Sequence, residues 1–247
     1  METETQKQKR DYVLPASILV AGLLVAVALV YNAGRGAEEP LAGNVSGALA
    51  PASDKIRPLG SDDHILGNAD APIALVTFTD LECPYCKDFH ATLKQTVNAY
   101  DGKVAVVYRH LPLDVLHSKA RNEAMASECA AELGGNDAFW QYVDRVFSVT
   151  PSNDGLDPTE LPKIAEQIGL DRGAFESCLA SGRYADRIER DVQDGKNSGA
   201  EGTPYGVLIV PSGATYVVPG AFPFEDDRAG YPSIKAILDI VFEEEKI

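Results

Sequence analysis

Two cysteines, Cys83 and Cys86, are separated by two residues and carry the strongest chemical signal in the sequence. A pair at this spacing can alternate between dithiol and disulfide, because the two sulfurs can meet with little movement of the backbone. The thiolate is the attacking form of a cysteine. The spacing therefore predicts thiol–disulfide exchange at this pair.

The pair lies where a predicted strand gives way to a predicted helix. Residues 73–78 are mostly apolar and β-branched, which is typical of a buried strand, and apolar residues recur at helical spacing after the pair. A helix N-terminus favours an anion; Pro84 suits its first position, and Tyr85 completes the motif. We therefore expect Cys83 to be an exposed nucleophile of low pKa, and Cys86 to be the deeper, resolving thiol.

Zinc binding and a purely structural disulfide are the alternatives for this motif. A tetrahedral zinc site would need two more ligands, and His90, seven residues after Cys83, could supply only one of them. The other two cysteines, Cys129 and Cys178, lie far away in the sequence. The motif lies between a predicted strand and a predicted helix, and the N-terminal segment of the chain predicts export. Together these features favour redox chemistry that needs neither a metal nor a cofactor.

An uncharged segment near the N-terminus predicts export. As a helix, residues 13–31 would extend about 28 Å, close to the hydrocarbon thickness of a bilayer, about 30 Å. Residues 1–12 carry Lys and Arg close to the segment, so the positive-inside rule predicts a cytoplasmic tail there and an extracytoplasmic remainder. We predict a single-pass anchor in the cell membrane, with a cleaved signal peptide as the alternative. Both alternatives export the cysteines to the periplasm or cell exterior.

The remaining chain divides into a linker and one domain. Residues 32–60 are rich in Ala, Gly, Pro and Ser and are predicted to form a flexible linker. Residues 61–247 are predicted to form the domain. Within it, a helical pattern over residues of about 118–199 is too long for an ordinary loop and predicts a helical insertion. Further strands are predicted at residues 104–108, 205–210 and 215–218.

The overall composition argues against a nucleic-acid partner. The 247 residues carry a formal net charge of -15, whereas binding of phosphates requires clustered Lys and Arg. The hydrophobic fraction of 45% is ordinary for a folded protein.

Several segments resemble the DsbA-like family of thioredoxin-fold oxidoreductases. Residues 71–86 are similar to the opening strand and CxxC motif of that family, and residues 108–113 to its second strand. Residues 126–130 and 139–140 resemble parts of its helical insertion. The resemblance extends from about residue 67 to the C-terminus and implies an α/β, thioredoxin-like fold with a helical insertion. In this chain that fold would follow the N-terminal transmembrane helix.

The resemblance also implies roles for single residues. Gly202-Thr203-Pro204 is similar to the cis-proline loop of the family, so Thr203 and Pro204 would face the CxxC motif and bind a substrate strand. Family members often carry a glutamate six positions before the first cysteine. Thr77 occupies this position here, so a proton relay through a buried carboxylate is not assigned to this chain.

Cys129 and Cys178 each lie within a predicted helix of the insertion. Because the domain is predicted to be exported, we favour a structural disulfide between them, with two free buried cysteines as the alternative. Phe139 and Trp140 are expected in the core.

The histidines give no clear site. His64, His110 and His117 have no visible set of partners in the sequence and are expected at the surface or in loops. His90 lies near the motif and is given no catalytic role.

The leading functional hypothesis is a membrane-anchored oxidase. Its Cys83–Cys86 pair would accept electrons from cysteine-containing exported protein substrates and pass them to a quinone-linked membrane partner. A disulfide reductase or isomerase of the same fold is the alternative within the enzyme class. The sequence shows no separate dimerisation module, which counts against an isomerase. A non-catalytic tethered binding or chaperone module is the alternative from another class.

Overall fold

The structure, a computed structural model, describes residues 50–52, 55–226 and 232–247. The predicted cytoplasmic tail and membrane anchor, residues 1–12 and 13–31, lie outside the described residues. Within the described ranges, no helix combines the length and the apolar character needed to cross a membrane.

The described chain contains five strands and six helices. The strands are β1 (His64–Leu66), β2 (Ile73–Thr79), β3 (Val104–His110), β4 (Tyr205–Ile209) and β5 (Thr215–Pro219). The helices are α1 (Pro84–Ala99), α2 (Ala120–Val149), α3 (Glu160–Gln167), α4 (Arg172–Ser181), α5 (Ala185–Asn197) and α6 (Ile234–Glu245).

The strands form one mixed sheet in the order β1-β3-β2-β4-β5. The central strands β2 and β3 are parallel, and the other neighbouring pairs are antiparallel. Every residue of β2 and β3 is buried, which explains why both strands are rich in apolar residues. The four longer strands confirm the strand predictions, and the α/β class is confirmed. The short strand β1 was not predicted.

Helices α2 to α5 lie between β3 and β4 in the chain and confirm the predicted helical insertion. Helix α2 is interrupted at Gly135, whose φ of 75° lies in the left-handed region that favours glycine. Phe139 and Trp140 follow this interruption and are buried in the core, as predicted. A disulfide between Cys129 and Cys178, with an Sγ–Sγ distance of 2.07 Å, joins α2 to α4.

The predicted linker spans residues 32–60, and residues from its last part, from Ala50 onwards, contact the domain. Backbone hydrogen bonds connect Ala50 and Ala52 to strand β5. Arg57 forms an ion pair of 3.0 Å with Asp63, whose side chain is almost completely buried. The backbone N–H of Arg57 donates to Asp194 of α5 over 2.6 Å, so the segment just before β1 is packed against the insertion as well.

Candidate active site

Cys83 and Cys86 lie at the start of helix α1, which follows strand β2 along the chain after a short loop. Cys83 is the N-cap residue, Pro84 occupies the first helical turn, and Cys86 faces the core from the same turn. Both cysteines are free thiols. They are 4% and 2% exposed, so the expectation that Cys83 is exposed was wrong.

The loop before strand β4 covers Cys83. The Cys83 thiol donates a hydrogen bond to the backbone carbonyl oxygen of Thr203 over 3.4 Å. The Thr203–Pro204 peptide bond is cis, and β4 begins at the next residue. Since β4 pairs with β2, the sheet brings this loop to the start of α1. The loop therefore lies opposite the motif and leaves little of the sulfur open to solvent.

The groups around the Cys83 sulfur favour its thiolate form. The hydrogen bond from the Cys86 thiol is the main cause that lowers the pKa of Cys83 to about 6, against the opposing effect of burial. Thr203 and the backbone N–H groups of Tyr85 and Cys86 lower this pKa further. At neutral pH the reduced protein therefore holds Cys83 as an anion that can attack a disulfide.

Cys86 has the opposite character. Burial raises the pKa of the Cys86 thiol well above its ordinary value, and the neighbouring Cys83 sulfur adds to the rise. The backbone N–H of Asp80 donates to the Cys86 sulfur over 3.5 Å. The reduced pair therefore consists of a thiolate near the protein surface and a thiol beneath it, and the two form a hydrogen bond with each other.

Three histidines lie in the interior, where the sequence did not predict them. His64 and His110 contact the same buried carboxylate, Glu128, over 3.0 and 2.8 Å, and His117 contacts Asp80 over 2.8 Å. All three are less than 9% exposed, so the expectation of a surface position was wrong for each of them. His64 and His110 lie in strands β1 and β3, whereas His117 lies on a loop, the other position that was expected. The sequence could not reveal these partners, because each carboxylate comes from a different part of the chain.

Comparisons with known proteins place these features in a family. A family model described as thioredoxin matches residues 60–209, more than half of the chain. The structure of DsbA2 from Pseudomonas aeruginosa is similar, with a TM-score of 0.62 and 28% sequence identity. The alignment covers 76% of this chain and 98% of that chain. The chain belongs to the DsbA-like group of the thioredoxin family.

Two more distant structures share the fold of this DsbA-like protein. A thioredoxin-like oxidoreductase from Silicibacter pomeroyi DSS-3 has a TM-score of 0.60 and 23% identity, over 76% of this chain and 95% of that chain. Oxidised BdbD from Bacillus subtilis has a TM-score of 0.59 and 20% identity, over 80% of this chain and 97% of that chain. The fold is therefore that of DsbA-like thiol–disulfide oxidoreductases.

The similar curated proteins are much longer than the DsbA-like chain. The Na(+)/H(+) antiporter NhaA 3 of Salinispora tropica is 37% identical over 159 residues, which cover 64% of this chain and 23% of that protein. NhaA 1 of Salinispora arenicola is 34% identical over 152 residues, which cover 61% of this chain and 22% of that protein. The match spans less than a quarter of these antiporters, so their transport activity does not follow for this chain.

The buried acid groups of this DsbA-like site occupy positions that sequence reasoning missed. Glu82, directly before the motif, is fully buried, and both of its carboxylate oxygens lack a hydrogen-bond partner among the described residues. Burial raises the pKa of Glu123, in α2, to about 10, and Glu82 beside it adds to the rise. At the position where family members often carry a glutamate, Thr77 is buried and shares a hydrogen bond with the hydroxyl of Thr79.

The described residues offer no metal centre. No three side chains from His, Cys, Asp or Glu in these ranges are grouped so that they could hold a metal ion. The chemistry derived above uses only the two sulfurs and the groups around them.

Proposed function

We propose that this chain is a membrane-anchored, extracytoplasmic oxidase that introduces disulfides into exported proteins through Cys83 and Cys86. The observation that carries the proposal is the opposite perturbation of the two thiols, with a lowered pKa at Cys83 and a raised pKa at Cys86. A stabilised Cys83 thiolate favours the reduced form of the pair, and the disulfide form of a pair that is stable when reduced is a strong oxidant.

The proposed reaction starts from the Cys83–Cys86 disulfide. A substrate thiolate attacks the Cys83 sulfur, the bond between the two protein sulfurs breaks, and Cys86 leaves and takes up a proton. A second substrate thiolate then attacks the substrate sulfur in the mixed disulfide and releases Cys83 as a thiolate. The substrate has then lost two electrons and gained a disulfide, and the protein pair has gained the two electrons.

The surface around the motif supports a polypeptide as the substrate. Tyr85, inside the motif, is 65% exposed, and Val115 and Leu116 on the loop after β3 are 98% and 70% exposed. This loop borders a groove of about 370 Å³ that extends to Gly202, next to the Thr203 carbonyl. Exposed apolar side chains beside a reactive sulfur suit an unfolded chain, whose own apolar residues are accessible.

A membrane partner would return the pair to its oxidised form. The reduced pair must lose two electrons before another turnover, and we propose that a quinone-linked membrane protein accepts them. The predicted anchor at residues 13–31 and the predicted linker support this assignment, because they would keep the domain near the membrane.

The reduction potential of the Cys83–Cys86 pair tests the direction of the reaction. Full-length protein equilibrated with glutathione buffers should give a potential near the oxidising end of the known range, about -120 mV, and should oxidise a reduced, unfolded protein. A potential near that of thioredoxin, about -270 mV, would contradict the oxidase and favour the reductase.

A double variant, Cys83→Ser with Cys86→Ser, provides the control for this titration. It keeps the Cys129–Cys178 disulfide and should lose the measured transition. A transition that survives in the double variant would assign the redox activity to the other disulfide and contradict the proposal. Wild-type protein that exchanges no disulfides at all would instead favour the binding or chaperone module.

A further inference from the structure

Asp80 connects the CxxC motif to the loop that follows strand β3. Its carboxylate is buried and accepts hydrogen bonds of 2.8 Å from the backbone N–H groups of Glu82 and Leu113. The same carboxylate contacts Nδ1 of His117 over 2.8 Å. One buried charge therefore fixes the approach to α1 and the loop that carries His117.

The backbone of Asp80 holds the motif as well. Its carbonyl oxygen accepts the N–H of Cys83 over 3.2 Å, and its own N–H donates to the Cys86 sulfur over 3.5 Å. Because side chain and backbone belong to one residue, Asp80 links the His117 ring to the segment that carries the two sulfurs.

His117 is suited to carry a positive charge in this place. It is 6% exposed, and its backbone N–H donates to the carbonyl oxygen of Leu113 over 2.9 Å. Burial lowers the pKa of His117, but the Asp80 carboxylate and the Cys83 thiolate together raise it above its ordinary value. The Asp154 carboxylate, on the loop after α2, also faces the imidazole. The charged groups that surround His117 thus favour the imidazolium.

We propose that His117, held by Asp80, is a positioning residue that keeps a positive charge beside the Cys83 sulfur and stabilises its thiolate. A positive charge close to a thiol favours the ionised form, and the effect is large where both groups are shielded from water. The meaning of this role for catalysis rests on the proposed oxidase function, because a stabilised thiolate makes the Cys83–Cys86 pair more oxidising.

The variant His117→Gln tests the proposal. Glutamine can still donate a hydrogen bond to Asp80 but carries no charge. The pKa of Cys83, followed by the ultraviolet absorbance of its thiolate in the reduced full-length protein, should rise by up to about one pH unit. His90→Gln is the matched control, because His90 is also buried and paired with a carboxylate, Asp144, but its ring packs on Trp140 and Phe147 and not on Asp80. It should leave the Cys83 titration unchanged.

Reciprocal coupling gives a second measurement that does not depend on the folding of His117→Gln. If the Cys83 thiolate stabilises the imidazolium, its removal must lower the pKa of His117 by the amount by which His117 lowers that of Cys83. An NMR titration of the His117 ring should therefore move to lower pH in Cys83→Ser. An unchanged His117 titration, or an unchanged Cys83 titration in folded His117→Gln, would overturn the proposal.

These titrations need neither a substrate nor a redox partner. A low reduction potential would contradict the oxidase and leave the charge coupling between His117 and Cys83 intact. If His117 and Cys83 are not coupled but the reduction potential of the Cys83–Cys86 pair is high, His117 does not have this role and the proposed oxidase function stands.

Discussion

At the scale of single residues, the chemistry depends on the unequal surroundings of two sulfurs three positions apart. Their roles follow from the sequence, because a cysteine at a helix start and a second one a turn later differ in depth and in contact with backbone N–H groups. The near-complete burial of Cys83 does not follow. It is produced by the loop around Thr203, which lies 120 residues away along the chain.

The polar groups around the motif show a second limit of sequence reasoning at this scale. Asp80 and Glu82 lie just before the CxxC motif in the sequence, but the groups that face them, His117 and Glu123, are brought there only by the fold. Family members often carry a glutamate in β2, where this chain has Thr77. The threonine does not indicate that the buried carboxyl groups are those of Glu82 and Glu123.

The carboxyl group of Glu123 predicts a dependence of stability on pH. Its pKa in the folded protein is about 10, above the ordinary value of 4.5, so the folded protein holds a proton there that the unfolded chain has lost. Stability should therefore fall as the pH rises between these two values, by about 1.4 kcal/mol per pH unit from this group. Glu123→Gln removes the proton uptake, so the free energy of unfolding should fall by about 2–3 kcal/mol less than in wild type between pH 6 and pH 8.

Urea denaturation at the two pH values measures this difference. Glu176→Gln, at an exposed carboxyl group on α4, is the matched control and should follow the wild type. Parallel slopes for wild type and Glu123→Gln would contradict the account of the buried acid pair.

At the scale of elements, the sequence predicts the central strands and much of the insertion. Helix α4 is capped at its start by Asp171, which accepts the N–H of Ala174, and is followed by Gly182 in the left-handed conformation; an Asp before and a Gly after a helix are cap signals that the sequence carries. Before helix α3, the run Asp157-Pro158-Thr159-Glu160 also suits a helix cap, but Asp157 forms a turn with Thr159 and the regular helix begins only at Glu160. A local pattern that suits both a turn and a cap cannot distinguish them.

The disulfide between α2 and α4 should be structural. Cys129 and Cys178 are 49 residues apart, and closing a loop of this length stabilises a protein by about 4 kcal/mol in the chain-entropy model. Replacing both cysteines with alanine should lower the free energy of unfolding by about 2–4 kcal/mol and leave the reduction potential of Cys83–Cys86 unchanged. Denaturation and redox titration of the same variant test both statements. A changed potential would indicate that the two cysteine pairs are coupled.

A buried arginine joins three parts of the domain. Arg109 in β3 is fully buried and pairs with Asp63 over 2.9 Å and with Asp194 in α5 over 2.6 Å. Arg109→Met leaves two buried carboxylates without this partner and should cost about 3–5 kcal/mol of stability. Arg190→Met is the control, because the exposed pair of Arg190 with Asp62 should contribute less than about 1 kcal/mol. Equal losses in thermal or chemical denaturation would contradict the importance of the buried pair.

At the scale of the whole molecule, the sequence predicts a membrane topology. The uncharged run at 13–31 and the Lys and Arg before it predict a cytoplasmic N-terminus and an extracytoplasmic domain. A reporter that is active only in the periplasm should work when fused after Ile247 and fail when fused after residue 12. Activity at Ile247 from a reporter that requires the cytoplasm would contradict this topology.

The central claim for the molecule is that Cys83 is the attacking thiol of a Cys83–Cys86 redox pair. The most direct test is the alkylation rate of each cysteine in the reduced full-length protein as a function of pH, with the labelled residue identified by peptide mass. The account predicts that Cys83 is labelled first and with a midpoint near pH 6, while Cys86 stays unlabelled until the solution is strongly alkaline. Earlier labelling at Cys86, or a Cys83 midpoint at the ordinary thiol value near pH 9, would contradict it.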